Sequence, residues 1–162
     1  MQKRKRLYLA YGSNMNLPQM ERRCPTAKVV GTAELKDYEL LFRGSRNSAV
    51  ATVEPKKGST VPVLIWTVES RDELMLDLYE GYPNFYGKKT MEIELEGKKV
   101  SVMAYVMMPG REYGVPSRRY LEIIREGYRS FGMDEQILND AVKKAVNLAE
   151  QGQEYCGPEM KF

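Results

Sequence analysis

The chain has 162 residues, 43% of them hydrophobic, which is typical of one domain with a single core. Its formal charge is +3, but the four basic residues at 3–6 supply more than that, so the remainder of the chain is slightly acidic. Binding to nucleic-acid phosphates needs a basic face on the folded domain, so we expect no nucleic-acid partner.

The N-terminal part of the chain predicts a basic tip, a strand, a turn and a short helix. Residues 1–6 form a short charge run and are expected to be solvated. A strand covers Arg6–Ala10, the turn Tyr11–Asn14 follows, and a helix covers about Leu17–Arg23 until Pro25 ends it. The apolar stretch is shorter than the roughly 7 to 15 residues of a secretory core. We therefore expect a cytoplasmic protein with no export signal and no membrane partner.

The middle of the chain predicts a β-rich region. Apolar, β-branched segments alternate with Gly, Asn, Ser and Lys, and their bounds are 29–35, 38–42, 49–53 and 61–68. Two later segments, 91–95 and 100–106, flank Glu96-Gly97-Lys98 and predict a hairpin. Several short strands at this spacing favour a curved or closed sheet.

A helix is predicted between these two groups of strands. Ser70 and Glu73 are expected to form a capping box at its start. Leu74 and Leu78 would then lie on its apolar face, and the helix ends at Glu80-Gly81.

Two helices are predicted near the C-terminus, capped by Ser117 and Asp134. Their apolar positions are Leu121, Ile124, Tyr128 and Phe131 in the first, and Ile137, Leu138, Ala141, Val142 and Ala145 in the second. The sequence therefore predicts one domain at 7–150 and a C-terminal tail without periodicity at 151–162.

The chain contains no histidine, and this limits its chemistry more than any other feature of the composition. Ser-His-Asp and Cys-His catalysis need an imidazole, and most zinc sites use one. Cys24 and Cys156 match no metal spacing, and no Rossmann or Walker glycine pattern is present, so no metal and no cofactor is expected. Proton transfer near neutral pH then needs a carboxylate with a raised pKa, a lysine or thiol with a lowered pKa, or a tyrosine.

The turn after the first strand is one candidate site. Gly12 allows the chain to turn sharply, and the N–H groups before the next helix can face an anion or a developing oxyanion. The alternative is an ordinary turn in which Asn14 or Asn16 caps that helix.

Glu80 is a second candidate, because a carboxylate in the last turn of a helix faces the negative end of the macrodipole. Burial among Tyr79, Tyr82 and Phe85 would raise its pKa further and leave a base that holds a proton reversibly. The alternative is that Glu80 simply points to water.

Tyrosines number eleven against four phenylalanines. An aromatic wall with hydroxyl tips suits a small polar ligand, although most of these rings are expected to belong to the core. Those near the candidate site are Tyr8, Tyr11, Tyr82, Tyr86, Tyr105 and Tyr120.

Two segments together resemble the γ-glutamyl cyclotransferase family. The first is Leu7–Met15, with Tyr-Gly-Ser-Asn after a strand, and the second is Leu76–Pro83, with Glu-Gly after a short helix. The resemblance extends from about Leu7 to Phe131. It implies an α+β fold, a small mixed β-barrel-like sheet with flanking helices, and an enzyme that uses neither metal nor organic cofactor.

The resemblance also implies roles for particular residues. Glu80 would be the catalytic acid/base. Substrate binding would fall to Tyr8, Leu9, Ala10, Tyr11, Gly12, Ser13, Asn14, Tyr86 and Tyr120. The implied reaction cyclises a γ-glutamyl amide to 5-oxoproline by attack of the substrate's own α-amine, so no nucleophilic side chain is needed.

The expected partner is therefore a small-molecule γ-glutamyl substrate, and a tyrosine-rich surface would permit a homodimer. The Gly-Tyr-Pro-x-Phe-Tyr stretch after Glu80 is similar to the branch that acts on γ-glutamyl amines, so the leaving group stays open. It could be an amino acid, an amine from a protein cross-link or a natural-product intermediate. A non-catalytic binding or regulatory module with the same pocket is the alternative, although binding alone would not need the Glu80 carboxylate.

Overall fold

The computed structural model describes residues 5–159, and their side chains from 5 to 151. Along these residues lie β1 (Lys5–Ala10), α1 (Leu17–Arg23), β2 (Lys28–Arg43), β3 (Val50–Glu69), α2 (Ser70–Glu80), β4 (Tyr86–Leu95), β5 (Lys98–Met107), α3 (Arg118–Ser130) and α4 (Glu135–Glu159). A 3₁₀ turn, Ser13–Met15, joins β1 to α1. None of the helices in this part of the chain is both long and apolar enough to cross a membrane.

The strands form one mixed sheet in the order β2-β3-β1-β5-β4. The central strand β1 pairs in parallel with β5 and antiparallel with β3, while β2–β3 and β4–β5 are antiparallel hairpins. The α+β class with flanking helices is confirmed. The sheet ends at β2 and β4 within residues 5–159, so it does not close into a barrel. Its edges meet through side chains instead, since Lys89 Nζ donates to Tyr38 Oη over 3.0 Å.

Strands β2 and β3 replace the four short strands expected from the sequence. The register shifts between Lys36 and Tyr38, and Asp37 there adopts φ 64°. Its Oδ1 accepts the Gly58 N–H at 2.9 Å. A polar interruption in the pattern is thus a bulge within one long hairpin rather than a turn between strands.

The β4–β5 hairpin is confirmed. Leu95 pairs with Lys98, so the turn has two residues, Glu96 and Gly97, with φ of 51° and 80°. Two positive φ values in a two-residue turn match the right-handed twist of the strands.

Helix α2 differs from its prediction at both its cap and its buried face. The N-cap is Glu69, one residue earlier than expected, and its N–H donates to Asp72 Oδ2 at 3.0 Å. Asp72 and Leu76 are the buried residues, whereas Leu74 is 65% and Leu78 77% exposed. The predicted apolar face is wrong because Asp72, four residues before Leu76, is held inside by polar contacts.

The last two helices match their predictions where the structure describes side chains. Ser117 Oγ accepts the Tyr120 N–H, and Asp134 Oδ1 accepts the Gln136 N–H. Buried positions include Ile124, Tyr128, Leu138, Ala141 and Ala145.

The chain ends differ in extent from the sequence prediction. The backbone of α4 stays helical to Glu159, so the helix continues into the segment expected to be a tail. At the other end, Lys5 and Arg6 of the expected basic tip belong to β1. Residues 1–4 and 160–162 lie outside the described part of the chain.

Candidate active site

The loop after β1 is anchored on both sides. Trp66 Nε1 donates to the Asn14 carbonyl at 3.1 Å, which ties the loop to β3. Gly127 of α3 lies so close that an added Cβ would be 2.9 Å from the Met15 carbonyl oxygen. Ser13 and Asn14 begin the 3₁₀ turn, and their N–H groups donate to no acceptor in the described residues. Such first-turn donors are available to an anionic ligand atom.

Glu80 is the last residue of α2. Gly81 follows in the left-handed conformation, with φ 64° and ψ 37°, and caps the helix. The Tyr82 N–H donates back to the Asp77 carbonyl at 2.9 Å, which completes the helix end. Glycine at this position therefore fixes where the helix stops and where Glu80 is presented.

A cavity of about 510 Å³ lies between this loop and the end of α2. Eight of the ten predicted site residues line it, namely Tyr8, Tyr11, Gly12, Ser13, Asn14, Glu80, Tyr86 and Tyr120. Leu9 and Ala10 do not line it and are buried in the core. Leu9 alternates to the other side of β1 from Tyr8, and Ala10 has only a methyl side chain.

Among the described residues that line the cavity, Glu80 is the charged one, and it is half-buried. Burial raises its pKa to about 7, against a smaller lowering by the positive charge of Arg23. Tyr79 and Phe85, two of the three aromatic residues expected beside it, line the same cavity. Asn14 Nδ2 lies 3.4 Å from Glu80 Oε1. The carboxyl group therefore exists in both protonation states near neutral pH, as an acid/base requires.

Tyrosines of the cavity wall differ in whether their hydroxyl hydrogen is already used within the protein. Tyr11 Oη donates to the Tyr105 carbonyl at 2.6 Å, and Tyr86 Oη donates to the Ala51 carbonyl at 2.5 Å. Tyr120 Oη instead accepts the Ala51 N–H at 3.0 Å, so its own hydrogen is left to donate.

Burial raises the pKa of these phenols above the usual value, so they stay neutral at physiological pH. The wall therefore offers hydrogen-bond donors without adding charge.

Two residues of the site were not predicted in a functional role. Tyr79 lies next to the loop, with its Oη 3.0 Å from Ser13 Oγ. Arg23, at the end of α1, places its guanidinium 3.3 Å from the centre of the Tyr79 ring. No spacing in the sequence links these positions. A basic residue in the last turn of a helix is also explained by the helix dipole alone.

The other carboxylates of α2 point away from the cavity. Glu73 and Asp77 line a separate groove and pair with Lys88 at 2.6 and 2.9 Å. Arg6 adds a second ion pair to Glu73 at 2.8 Å. Across the described residues, no three His, Cys, Asp or Glu side chains gather closely enough to hold a metal ion.

A family model for "Gamma-glutamyl cyclotransferase, AIG2-like" matches residues 8–127. The chain belongs to this family. The match contains the loop, Glu80, Tyr86 and Tyr120, so the whole candidate site falls within the part that defines the family.

Named relatives agree with this family. The human protein Gamma-glutamylcyclotransferase is 29% identical over 136 residues, covering 78% of this chain and 72% of the human one. A solved structure named Gamma-glutamyl cyclotransferase is 25% identical, with a TM-score of 0.73, covering 87% of this chain and 99% of that one. A crystal structure of an uncharacterized Homo sapiens protein is 27% identical with a TM-score of 0.76, covering 85% and 86%.

Proposed function

We propose that this protein is a γ-glutamyl cyclotransferase, which cleaves a γ-glutamyl amide and releases 5-oxoproline and a free amine or amino acid. The observation that carries the proposal is the position of Glu80. A half-buried carboxyl group with a pKa of about 7 faces the loop after β1 across a single cavity. The family and its named relatives support the same activity.

The first step is attack of the substrate's α-amine on its own δ-carbonyl carbon. An intramolecular nucleophile of this kind needs positioning more than activation, because the ring it closes has five members. Ionised Glu80 accepts the proton that the amine loses as the new C–N bond forms. The absence of histidine from the chain is therefore no obstacle.

The second requirement is stabilisation of the tetrahedral oxyanion. The free N–H groups of Ser13 and Asn14 supply fixed donors, held in place by the contacts to Trp66 and Gly127. The hydroxyl of Tyr120 adds a donor beside the loop, since it lies 3.5 Å from the position that a Cβ on Gly12 would occupy. None of these groups has to reorganise when charge develops.

The final step breaks the amide bond. Glu80, now protonated, gives its proton to the departing nitrogen, and the carbonyl of 5-oxoproline re-forms. The same carboxyl group thus accepts one proton and returns it, which is possible because its pKa lies near the working pH. The catalytic cycle ends with Glu80 ionised again.

The size of the cavity supports a small substrate. A volume of about 510 Å³ lies within the range of about 300 to 1,000 Å³ that small-molecule sites occupy. The expected partner is therefore a γ-glutamyl compound of low molecular mass.

The direct test incubates the purified protein with γ-glutamyl amino acids, γ-glutamyl-ε-lysine and a γ-glutamyl monoamine, and measures released 5-oxoproline by mass spectrometry. We expect release from at least one class. Tight binding of these compounds without any 5-oxoproline would favour the non-catalytic binding module instead.

A further inference from the structure

Arg23 is held in one orientation beside the site. Its Nη2 donates to Gln19 Oε1 at 3.1 Å, one turn earlier in α1. The guanidinium stacks on the Tyr79 ring, and Nη1 donates to Asn14 Oδ1. A planar guanidinium that stacks on a ring and donates to two acceptors has little freedom to rotate.

This contact decides which way the Asn14 carboxamide points. An amide has an oxygen that only accepts and an NH₂ that only donates. Since the oxygen faces the Arg23 cation, the NH₂ must face the other side. There it meets Tyr8 Oη at 2.8 Å and Glu80 Oε1 at 3.4 Å. Asn14 itself is buried, with 3% of its surface exposed.

The orientation of the Asn14 amide also fixes the hydrogen bonding of the Tyr8 hydroxyl. Because Tyr8 Oη accepts from Asn14, its own hydrogen is left to donate. Tyr8 lines the cavity, and burial keeps its phenol neutral by raising its pKa. Flipping the Asn14 amide would present an oxygen to both Tyr8 and Glu80 and would repel the ionised carboxylate.

We propose that Arg23 is a positioning residue, which orients the Asn14 carboxamide so that its NH₂ holds the ionised Glu80 carboxylate and frees the Tyr8 hydroxyl for the substrate. This inference rests on the proposed function, because it assigns Arg23 to the same acid/base reaction. Arg23 itself acts through Asn14.

The positive charge of Arg23 also favours the ionised form of Glu80, as the Asn14 NH₂ does. The titratable groups that surround Glu80 or line its cavity are Tyr79 on its own helix and, on other elements, Tyr8, Tyr11, Arg23, Tyr86, Tyr105 and Tyr120. Burial raises the pKa of the Tyr8, Tyr11, Tyr86, Tyr105 and Tyr120 phenols and keeps them neutral, so the cation among these groups that favours the ionised base is Arg23.

The test compares Arg23→Gln and Arg23→Lys with Arg22→Gln. Arg22 is a matched control, since it is the adjacent residue of α1 but is exposed and, within the described part of the chain, bonds only the Pro18 carbonyl at 3.4 Å. Each variant is assayed for 5-oxoproline release across pH, and its folding is checked by circular dichroism. The Glu80 carboxyl is titrated separately by ¹³C NMR, with its signal assigned by loss in Glu80→Gln.

We expect Arg23→Gln to raise the Glu80 pKa by about half a unit or more and to move the acid limb of kcat/KM to higher pH. Its kcat/KM at pH 7 should fall about 10-fold or more, while Arg22→Gln matches the wild type. Arg23→Lys keeps the positive charge but lacks the planar guanidinium. The acid limb of its kcat/KM profile should therefore stay near that of the wild type, while its kcat falls below the wild-type value.

An Arg23→Gln protein with the pH profile, kcat/KM and Glu80 titration of Arg22→Gln would overturn the proposal. If Arg23→Gln does not fold, Arg23→Lys decides, and wild-type kcat in that variant would overturn it as well. Failure of the proposed function looks different, because then the wild type itself releases no 5-oxoproline. The Glu80 titration still reports on Arg23 in that case.

Discussion

Three of the four carboxylates of helix α2 have opposite surroundings, Glu73 and Asp77 on one side of the comparison and Glu80 on the other. Glu73 and Asp77 share the ammonium of Lys88, and Glu73 also pairs with Arg6. Glu80, one turn further on, forms no ion pair with any described residue and lies at the half-buried helix end. The first two therefore lie in direct ion pairs, while burial raises the pKa of Glu80 to about 7.

This difference teaches that a carboxylate's role here follows from its counter-charge rather than from its residue type. Glu73 and Asp77 are engaged by cations in a separate groove, so neither reaches the cavity. A carboxylate whose nearest cation acts through an intervening amide keeps both states accessible. Glu80 can therefore exchange protons, and Glu73 and Asp77 stabilise the fold.

The strongest test of this difference replaces a carboxylate by an amide at Glu80 and, separately, at Glu73. Glu80→Gln keeps the size of the side chain but cannot accept the amine proton. We expect 5-oxoproline release to fall by about 10² to 10⁴-fold or more, because one residue serves both proton transfers. Release is measured by mass spectrometry under saturating substrate.

Glu73→Gln is the matched control on the same helix, and its activity should stay within about 3-fold of the wild type because Glu73 lies outside the cavity. More than about a tenth of the activity in Glu80→Gln would show that another group is the base, since that rate implies under roughly 1.4 kcal/mol of transition-state stabilisation.

Removing the shared cation tests the structural half of the comparison. Lys88→Met leaves Glu73 and Asp77 facing each other without their common ammonium, and the Tyr105 hydroxyl still donates to Asp77 at 2.5 Å. We expect the free energy of unfolding to fall by about 1 to 3 kcal/mol, with the folded protein still active. Urea denaturation followed by circular dichroism measures the loss. An unchanged midpoint would mean that these ion pairs contribute nothing to stability.

The pH dependence of stability separates the two kinds of carboxylate further. Because the folded-state pKa of Glu80 is raised from its ordinary 4.5 to about 7, the folded state prefers the protonated form. That preference is fully present below about pH 4.5 and is lost as the pH rises through about 7. Glu80→Gln mimics the protonated form and should become more stable than the wild type above pH 7, on the order of 1 to 3 kcal/mol.

Melting temperatures of both proteins between pH 4.5 and 8 give this difference. Parallel curves for the wild type and Glu80→Gln would contradict a raised pKa at this position.

The smallest expected effect is that of chelation. Glu73 and Asp77 are a close carboxylate pair, but cations of the chain itself neutralise them. The proposed reaction also needs no Lewis acid, since Glu80 moves both protons. EDTA should leave the rate of 5-oxoproline release unchanged, and a loss that Mg²⁺ or Zn²⁺ restores would disprove this.

Much of the fold and the outline of the site could be predicted from local patterns. Turn residues and caps act over a few positions, so the hairpin at Glu96-Gly97 and the cap at Ser117 follow from the sequence. The face of α2 could not be predicted, because apolar residues at 74, 75, 76 and 78 surround the helix. Partners distant in sequence hold Asp72 on the buried face, since Thr26 Oγ1 donates to its Oδ2 at 2.5 Å and Cys24 Sγ to its carbonyl at 3.5 Å.

The site shows the same limit. Glu80 and Gly12 belong to recognisable local motifs, but Arg23 reaches the site only because α1 folds back beside α2. The openness of the sheet likewise depends on whether β2 and β4 pair, which involves strands far apart in the chain. Contacts between elements distant in sequence decide both features, and no local pattern encodes them.

The turn between β2 and β3 has a fixed backbone but exposed side chains that can vary. Ser45 and Ser48 line the cavity with exposed side chains, while Gly114 packs so tightly that an added Cβ would lie 2.0 Å from the Ser45 carbonyl. The backbone of the turn is thus clamped, and its side chains are free to diversify. A combinatorial library at 45–48 would remodel one wall of the cavity while leaving Glu80, on a different element, unaltered.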